Sequence, residues 1–436
     1  MDKKKSIFIV LAFLFFAIPC FSVPPDSSDP LSQDKKAIVV EIESVINPII
    51  AEFIQNSIDK SNEDGAECLI ITLDTPGGLD LSMRSIIKAI EDSKVPIVVY
   101  VAPSGARAAS AGALITLASH IAAMAPGTNI GAAHPVSMGG QKMDEEMVKK
   151  VENDAAAYIR GLANKHQRNA DWAEKAVRES VSITAREAKE LKVIEIIAPD
   201  LPGLLKSIHG RKVTVRGEER ELNTEEATVL TIEMGMRHRI LNTISDPNIA
   251  YILLMIGMWG LFFELSNPGV IFPGVIGGIS LILAFVAFQT LPINYAGILL
   301  VILGMIFFIA EIKITSFGLL TIGGIISLLL GSLMLFKSPL PYLRVSWNIL
   351  ILSVLLTAGF FVFAISLSLK AYLKKPATGT EGLVGEKGIV KVKIDPEGKI
   401  FIHGEYWDAT SEEVIEPGEK VKVVGVENLV LRVTKL

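Results

Sequence analysis

The chain has 436 residues, half of them hydrophobic, a mean hydropathy of +0.45 and a formal net charge of −5. That length exceeds one domain, and that apolarity excludes a disordered chain and calls for segments that enter a bilayer. The acidic balance gives no ground for nucleic-acid binding, and two cysteines, Cys20 and Cys68, exclude a disulfide framework.

Residues 1–23 have the pattern of an export signal. Lys3, Lys4 and Lys5 give a basic start, residues 7–18 are almost wholly apolar, and small residues follow near Ser22. An uncleaved anchor is the alternative, and Pro19 before Cys20 argues against a lipoprotein site. Either way, the segment that follows is expected outside the cytoplasm.

Residues 24–205 are expected to form an α/β domain. Strands are predicted over 37–42, 69–73 and 97–101, and helices over 45–61 and 79–90. Continuous β-branched strands alternating with helices predict a parallel sheet covered on both faces. Residues 206–245 are charged, with two Arg and five Glu between Arg216 and Glu226, and are expected to be a linker.

Residues 246–372 are expected to be an α-helical membrane domain. No charged residue occurs over 265–310, 314–336 or 345–369, and five spans are predicted at about 247–264, 270–290, 294–311, 315–336 and 347–370. Glu264 precedes Gly277 and Gly278 much as Glu311 precedes Gly323 and Gly324, an internal repeat of helix pairs with a period near 46 residues. With the first domain outside, five spans put both glutamates at an inner interface and the C-terminus inside. Lys313, Lys370, Lys374 and Lys375 agree with that orientation, whereas Lys337 and Arg344 oppose it. Residues 380–436 alternate in strand fashion over 388–394 and turn at Asp395-Pro396-Glu397-Gly398. Further strands are predicted over 400–402, 420–424 and 429–433, which together suggest a small five-stranded all-β barrel.

Three clusters in the first domain carry candidate chemistry. Thr75-Pro76-Gly77-Gly78 follows a strand, and backbone N–H groups at adjacent glycines can be aimed at a developing anion. Ser110 lies among Ala and Gly and opens an apolar run, 111–118, so that a helix N-terminus would face an oxyanion beside its hydroxyl. On its own, such a serine reads more readily as a buried N-cap. A serine nucleophile also needs a base. One candidate is His134, in Gly131-Ala132-Ala133-His134-Pro135; others are Lys149 and Lys150, in an amphipathic helix predicted at about 142–165. Met143, Met147, Val151, Ala155, Tyr158 and Leu162 share one face of that helix. Lys150 borders this face and Lys149 points away, so Lys150 is the lysine able to reach inward. A lysine on such a border also reads as a snorkelling side chain.

Asp74-Thr75-Pro76-Gly77-Gly78, Ala108-Ala109-Ser110-Ala111-Gly112 and the stretch from Met124 to Ala132 together resemble the long form of the NfeD family, membrane-bound serine proteases of the ClpP class. Residues 182–195 resemble the closing helix and strand of the ClpP/crotonase fold, and residues 398–409 the family's OB-fold barrel. The resemblance implies a Ser–Lys dyad of Ser110 and Lys150, with Gly77, Gly78 and Ala111 as oxyanion-hole donors. His134 stands at about the spacing of the ClpP base and remains the rival. It further implies a stomatin-like membrane protein as substrate or partner, and an oligomer, often a dimer. No cofactor and no metal are called for. Two alternatives stand beside it: a crotonase-type acyl-CoA enzyme, which export of the domain disfavours, and a non-catalytic membrane scaffold for stomatin-like partners.

Overall fold

A computed structural model describes residues 35–136, 144–269, 271–314, 316–336, 338, 341–372 and 380–436. The expected signal at 1–23, together with Lys142, Met143, Lys337, Lys374 and Lys375, lies outside the described residues. Residues 35–135 with 148–235 form one compact unit, and the residues from Met236 onward form most of another.

The first unit opens with strand β1 (Lys36–Glu43) and helix α1 (Pro48–Glu63). Asn47 sets the start of α1 by accepting from Ile50 N–H, and Pro48 fits the first turn, where its missing N–H costs nothing. Then come β2 (Cys68–Asp74), α2 (Asp80–Glu91), β3 (Ile97–Val101), the short β4 (Arg107–Ala109), α3 (Ala111–Ala118) and β5 (Ile121–Met124). After β6 (Asn129–Gly131) the chain runs through α4 (Glu145–Lys165), α5 (Ala170–Arg178), β7 (Ser182–Thr184), α6 (Ala185–Glu190), β8 (Ile196–Ile197) and α7 (Leu201–Ile208). Strands β9 (Lys212–Val215), β10 (Glu218–Glu221) and β11 (Thr228–Thr231) complete the unit.

The main sheet has the order β11-β1-β2-β3-β5-β8, parallel throughout. Its alternation is strict. Ile38, Val40, Leu69, Ile71, Ile97 and Val99 enter a core on one face, and Val39, Cys68, Ile70 and Val98 one on the other. With both faces covered, the central positions of these strands, 37–40, 68–71 and 97–101, are all buried, and polar residues such as Lys36, Glu41, Glu43, Thr72 and Asp74 fall toward the strand ends, which is why the strands read as apolar runs. A second, three-stranded sheet, β4-β6-β7, lies beside the ends of β2 and β3.

Residues 206–245 are not the linker expected. Strands β9 and β10 form an antiparallel hairpin, and β11 adds a sixth strand beside β1 in the register Lys36 to Thr228. Val213, Val215 and Leu222 are buried in the second core while Lys212, Thr214 and Arg216 alternate with the valines on the exposed face. A hairpin with one wet face has the composition of a charged linker.

Helix α4 also departs from expectation. Its second half is seated by Ala156, Ile159, Leu162 and Ala163, whereas Val148, Lys150 and Val151 are exposed. Of the expected face, Leu162 is buried and Ala155 and Tyr158 pack half-buried against the core, whereas Met147 and Val151 are exposed; Ala156, Ile159 and Ala163 complete the buried seat. The outer side of half-buried Tyr158 is covered by the Arg84 guanidinium, 4.3 Å above its ring.

In the second unit, α8 (Met236–Ile244) leads into α9 (Pro247–Ser266), α10 (Ile271–Phe288), α11 (Tyr295–Lys313), α12 (Leu319–Leu335) and α13 (Trp347–Tyr372). The last five coincide with the five expected spans. Four of them contain membrane-length apolar stretches, and α12, with 17 residues, is slightly shorter. The repeat is physical. A side chain at Gly257 would meet the Gly277 carbonyl at 3.1 Å, and one at Gly304 would meet the Gly324 carbonyl at 2.9 Å. These contacts align the α9–α10 and α11–α12 hairpins, and Glu264 with Glu311, at a spacing of 47 residues. The chain ends in a closed barrel of β12 (Lys387–Val392), β13 (Glu397–Ile402), β14 (Glu405–Thr410), β15 (Lys420–Glu427) and β16 (Val430–Lys435), with Val390, Ile400, Val421 and Leu431 inside.

Burial, and then the charge of Glu67, push the Cys68 thiol up to about 12. In a Cys20→Ser background, Cys68 is expected to resist iodoacetamide at neutral pH in the folded chain and to react once the chain is denatured. Peptide mass spectrometry reads both states.

Candidate active site

The segment Asp74–Gly78 builds a shelf beside Ser110. Thr75 donates its N–H to Arg107 O at 2.8 Å and accepts from Ala109 N–H at 3.1 Å, which makes a parallel bridge between Thr75 and Ala108. Asp74 Oδ1 accepts from Arg107 N–H at 3.0 Å and reinforces the junction. Because the bridge is parallel, Gly78 and Ser110 leave it in the same direction. Gly112 permits this closeness, since a side chain there would lie 2.6 Å from Thr75 Cγ2.

Ser110 occupies the N-cap position of α3 but does not cap it. Its hydroxyl bonds to no donor or acceptor among the described residues, and its backbone sits at φ 53°, ψ −115°. That conformation is unfavourable for a residue with a Cβ, by about 1–3 kcal/mol. It is held because Ser110 N–H donates to Gly131 O at 3.0 Å and Ala113 N–H donates to Ser110 O at 3.0 Å. Gly131 itself sits flush on Val181, where a side chain would come 2.2 Å from the carbonyl. The bland reading of Ser110, a serine tied to its own helix, does not describe it.

The three oxyanion-hole candidates separate. Gly77 N–H donates to Thr75 Oγ1 at 3.1 Å and is engaged. Gly78 N–H and Ala111 N–H take no acceptor among the described residues. Gly78 must be glycine, because a Cβ there would lie 2.1 Å from Ile46 O. Ala111 N–H belongs to the first turn of α3, whose eight residues are all buried, so the partial positive charge of that helix end is poorly screened.

The two candidate bases stand differently. His134 Nδ1 lies 2.9 Å from Val177 O, so that nitrogen carries the proton and Nε2 is the free lone pair. Lys150 lies on the exposed first half of α4, with no ion pair among the described residues. Neither is hydrogen-bonded to Ser110 among the described residues. Just past Lys150, α4 is fastened from two sides. Arg178 Nη1 donates to Asn153 Oδ1 at 2.9 Å and Glu152 Oε1 at 3.2 Å, and Arg84 Nη2 to Asp154 Oδ2 at 2.6 Å.

One residue of structural weight carried no sequence signal. Arg168, with 1% of its side chain exposed, donates to the carbonyls of Thr116, Leu117 and Ser119 and pairs with Glu195. It caps the C-terminal end of the helix whose N-terminus bears Ser110. In the sequence it sits in a polar stretch, Asn164 to Asn169, that resembles any solvated turn.

Three family models match in chain order: an NfeD1b N-terminal domain over residues 36–200, an NfeD integral membrane domain over 248–367, and an NfeD-like C-terminal, partner-binding domain over 380–435. The membrane-bound protease PH1510 of Pyrococcus horikoshii is 38% identical over 421 residues, covering 94% of this chain and 95% of that protein. The membrane protein NfeD1b of Bacillus subtilis is 28% identical over 426 residues, with 91% and 92% covered. A solved structure of the 1510-N membrane-bound stomatin-specific protease is a lysine-to-alanine mutant in complex with a substrate peptide. It matches at 36% identity with a TM-score of 0.46, covering 49% of this chain and 99% of that one. Taken with the α/β, membrane and barrel domains described above, the three family models and the 38% identity to PH1510 establish that the chain is a membrane protein of the long-form NfeD family.

Proposed function

We propose that the chain is a membrane-anchored serine endopeptidase of the ClpP class, with Ser110 as nucleophile and Lys150 as base. The observation that carries this is the untied hydroxyl of Ser110, held in a strained backbone beside the unoccupied N–H groups of Gly78 and Ala111. Strained residues of this kind cluster at reactive centres. The near full-length relation to a membrane-bound protease supports the same class of activity.

In the proposed cycle, neutral Lys150 takes the Ser110 proton as Ser110 Oγ attacks a peptide carbonyl. The N–H groups of Gly78 and Ala111 receive the oxyanion. Lys150 then protonates the departing amine, and water attacks the acyl-enzyme to release the acid and restore Ser110. A lysine serves as base only when desolvation favours its neutral form. In the single chain Lys150 is exposed beside uncovered Val148 and Val151. An apolar substrate or a second copy of the chain laid over this stretch supplies the desolvation. The family resemblance points to stomatin-like membrane proteins as substrate or partner, and the partner-binding description of the barrel family supports a recruiting role for residues 380–435. The catalytic unit is taken to lie outside the cytoplasm and the barrel inside.

Purified full-length protein in detergent is expected to cleave an apolar protein segment. Ser110→Ala and Lys150→Ala each lower kcat by about 1,000-fold or more, while His134→Ala retains more than half of it. Loss in His134→Ala with full activity in Lys150→Ala would move the base to His134. No activity in any variant, with partner binding intact, would favour the scaffold reading. Gly78→Ala is expected to cost about 1–3 kcal/mol of stability through its clash with Ile46 O, measured by denaturant melts, and to reduce kcat further by displacing the oxyanion donor.

A further inference from the structure

At the opposite end of the sheet from Ser110, a cavity of about 500 Å³ opens between the start of β5, the end of α4 and the β9–β10 hairpin. Helix α3 separates the two places: Ser110 precedes its first residue, and His120 follows its C-terminal end by two. Eight residues at ~1.5 Å each keep them roughly 12 Å apart. No proposed catalytic residue lines the cavity.

Its lining is rich in donors with nothing to donate to. The two carboxylates present are already engaged. Glu91 accepts from Lys165 and from His166 Nε2, and although burial works the other way, these bonds hold it down at about 2. Glu195 accepts from Arg168 at 2.8 and 2.9 Å and from Ala122 N–H at 2.6 Å. His120 Nδ1 accepts from Ile97 N–H at 3.1 Å, so neutral His120 carries its proton on Nε2, which has no partner among the described residues. Burial, and then neighbouring His166, push this imidazole down to about 4, so it is a neutral donor at physiological pH. Lys212 and Arg216 have no acidic partner among the described residues, and Arg211 uses only Nε, on Ser207 O. The positive wall is not the by-product of a basic protein, because the whole chain carries a net charge of −5.

We propose that this cavity binds a phosphate group, held by Arg211, Lys212 and Arg216 of the hairpin and by the Nε2–H of His120. Two guanidinium forks and an ammonium match the charge and geometry of a phosphate dianion, whereas a single carboxylate would leave this wall under-neutralised. The volume admits a small phosphoester or a lipid headgroup, which share this chemistry.

The probe is inorganic pyrophosphate, titrated by calorimetry into the full chain in phosphatidylcholine nanodiscs. Saturable binding at one per chain is expected, weakened at least about tenfold by Lys212→Glu alone and further by Arg211→Ala, Lys212→Ala and Arg216→Ala together. All three side chains are exposed, and an unchanged circular dichroism melt excludes misfolding. If phosphatidylglycerol nanodiscs compete with pyrophosphate, the natural source is a lipid headgroup; if affinity is unchanged, it is a soluble phosphate. Absence of saturable binding, or equal affinity in the charge-reversed variant, would overturn the proposal.

Discussion

The site depends on the junction between Thr75 and the strand ending at Ala109. Two backbone hydrogen bonds at 2.8 and 3.1 Å tie the shelf that carries Gly78 to the strand that delivers Ser110. Everything around it accommodates that closeness. Gly112 leaves room for Thr75, Gly78 leaves room for Ile46, and Gly131 presses on Val181 while its carbonyl holds Ser110 N–H. The unfavourable backbone at Ser110 is tolerated because both ends of α3 are fixed. Its N-terminus is held by these bonds and its C-terminus by buried Arg168. An all-buried helix cannot shift to relax a strained first residue without disturbing its packing.

The parallel sheet was legible because covering both of its faces makes the central stretches of β1, β2 and β3 continuously apolar. The apolar helices of the membrane domain were legible because a bilayer demands length and apolarity together. The β9–β10–β11 segment was not, since a hairpin with one wet face shares its composition with a charged linker. At the site, Ser110 and the glycine turn could be found as small-residue motifs. Which glycine N–H stays open could not, because that depends on where the Thr75 hydroxyl goes. The helical period assigned Lys150 to the border of a face that is seated only in its second half, by Ala155, Tyr158 and Leu162 together with Ala156, Ile159 and Ala163, while the turn that carries Lys150 stays exposed. Arg168 was invisible for a simpler reason: three of its partners are backbone carbonyls, which no side-chain pattern reveals, and its carboxylate partner, Glu195, lies 27 residues away.

The uncovered half of α4 links the fold to the proposed chemistry. Arg84 and Arg178 fasten the helix immediately after Lys150 and leave the preceding turn open. A base kept in water until an apolar chain arrives would be neutralised only when substrate is in place. Such an arrangement suits a protease tethered to the bilayer, where apolar segments are concentrated and adventitious hydrolysis must be limited.

If Ser110 is the nucleophile, it must carry the acyl group of a covalent intermediate. Full-length protein would be mixed with an activated p-nitrophenyl ester of an apolar N-acyl amino acid, quenched in acid and mapped by peptide mass spectrometry. One acyl group per chain is expected, on the peptide containing Ser110, and none in Ser110→Ala. Acylation at another residue, or equal labelling of Ser110→Ala, would contradict that role of Ser110.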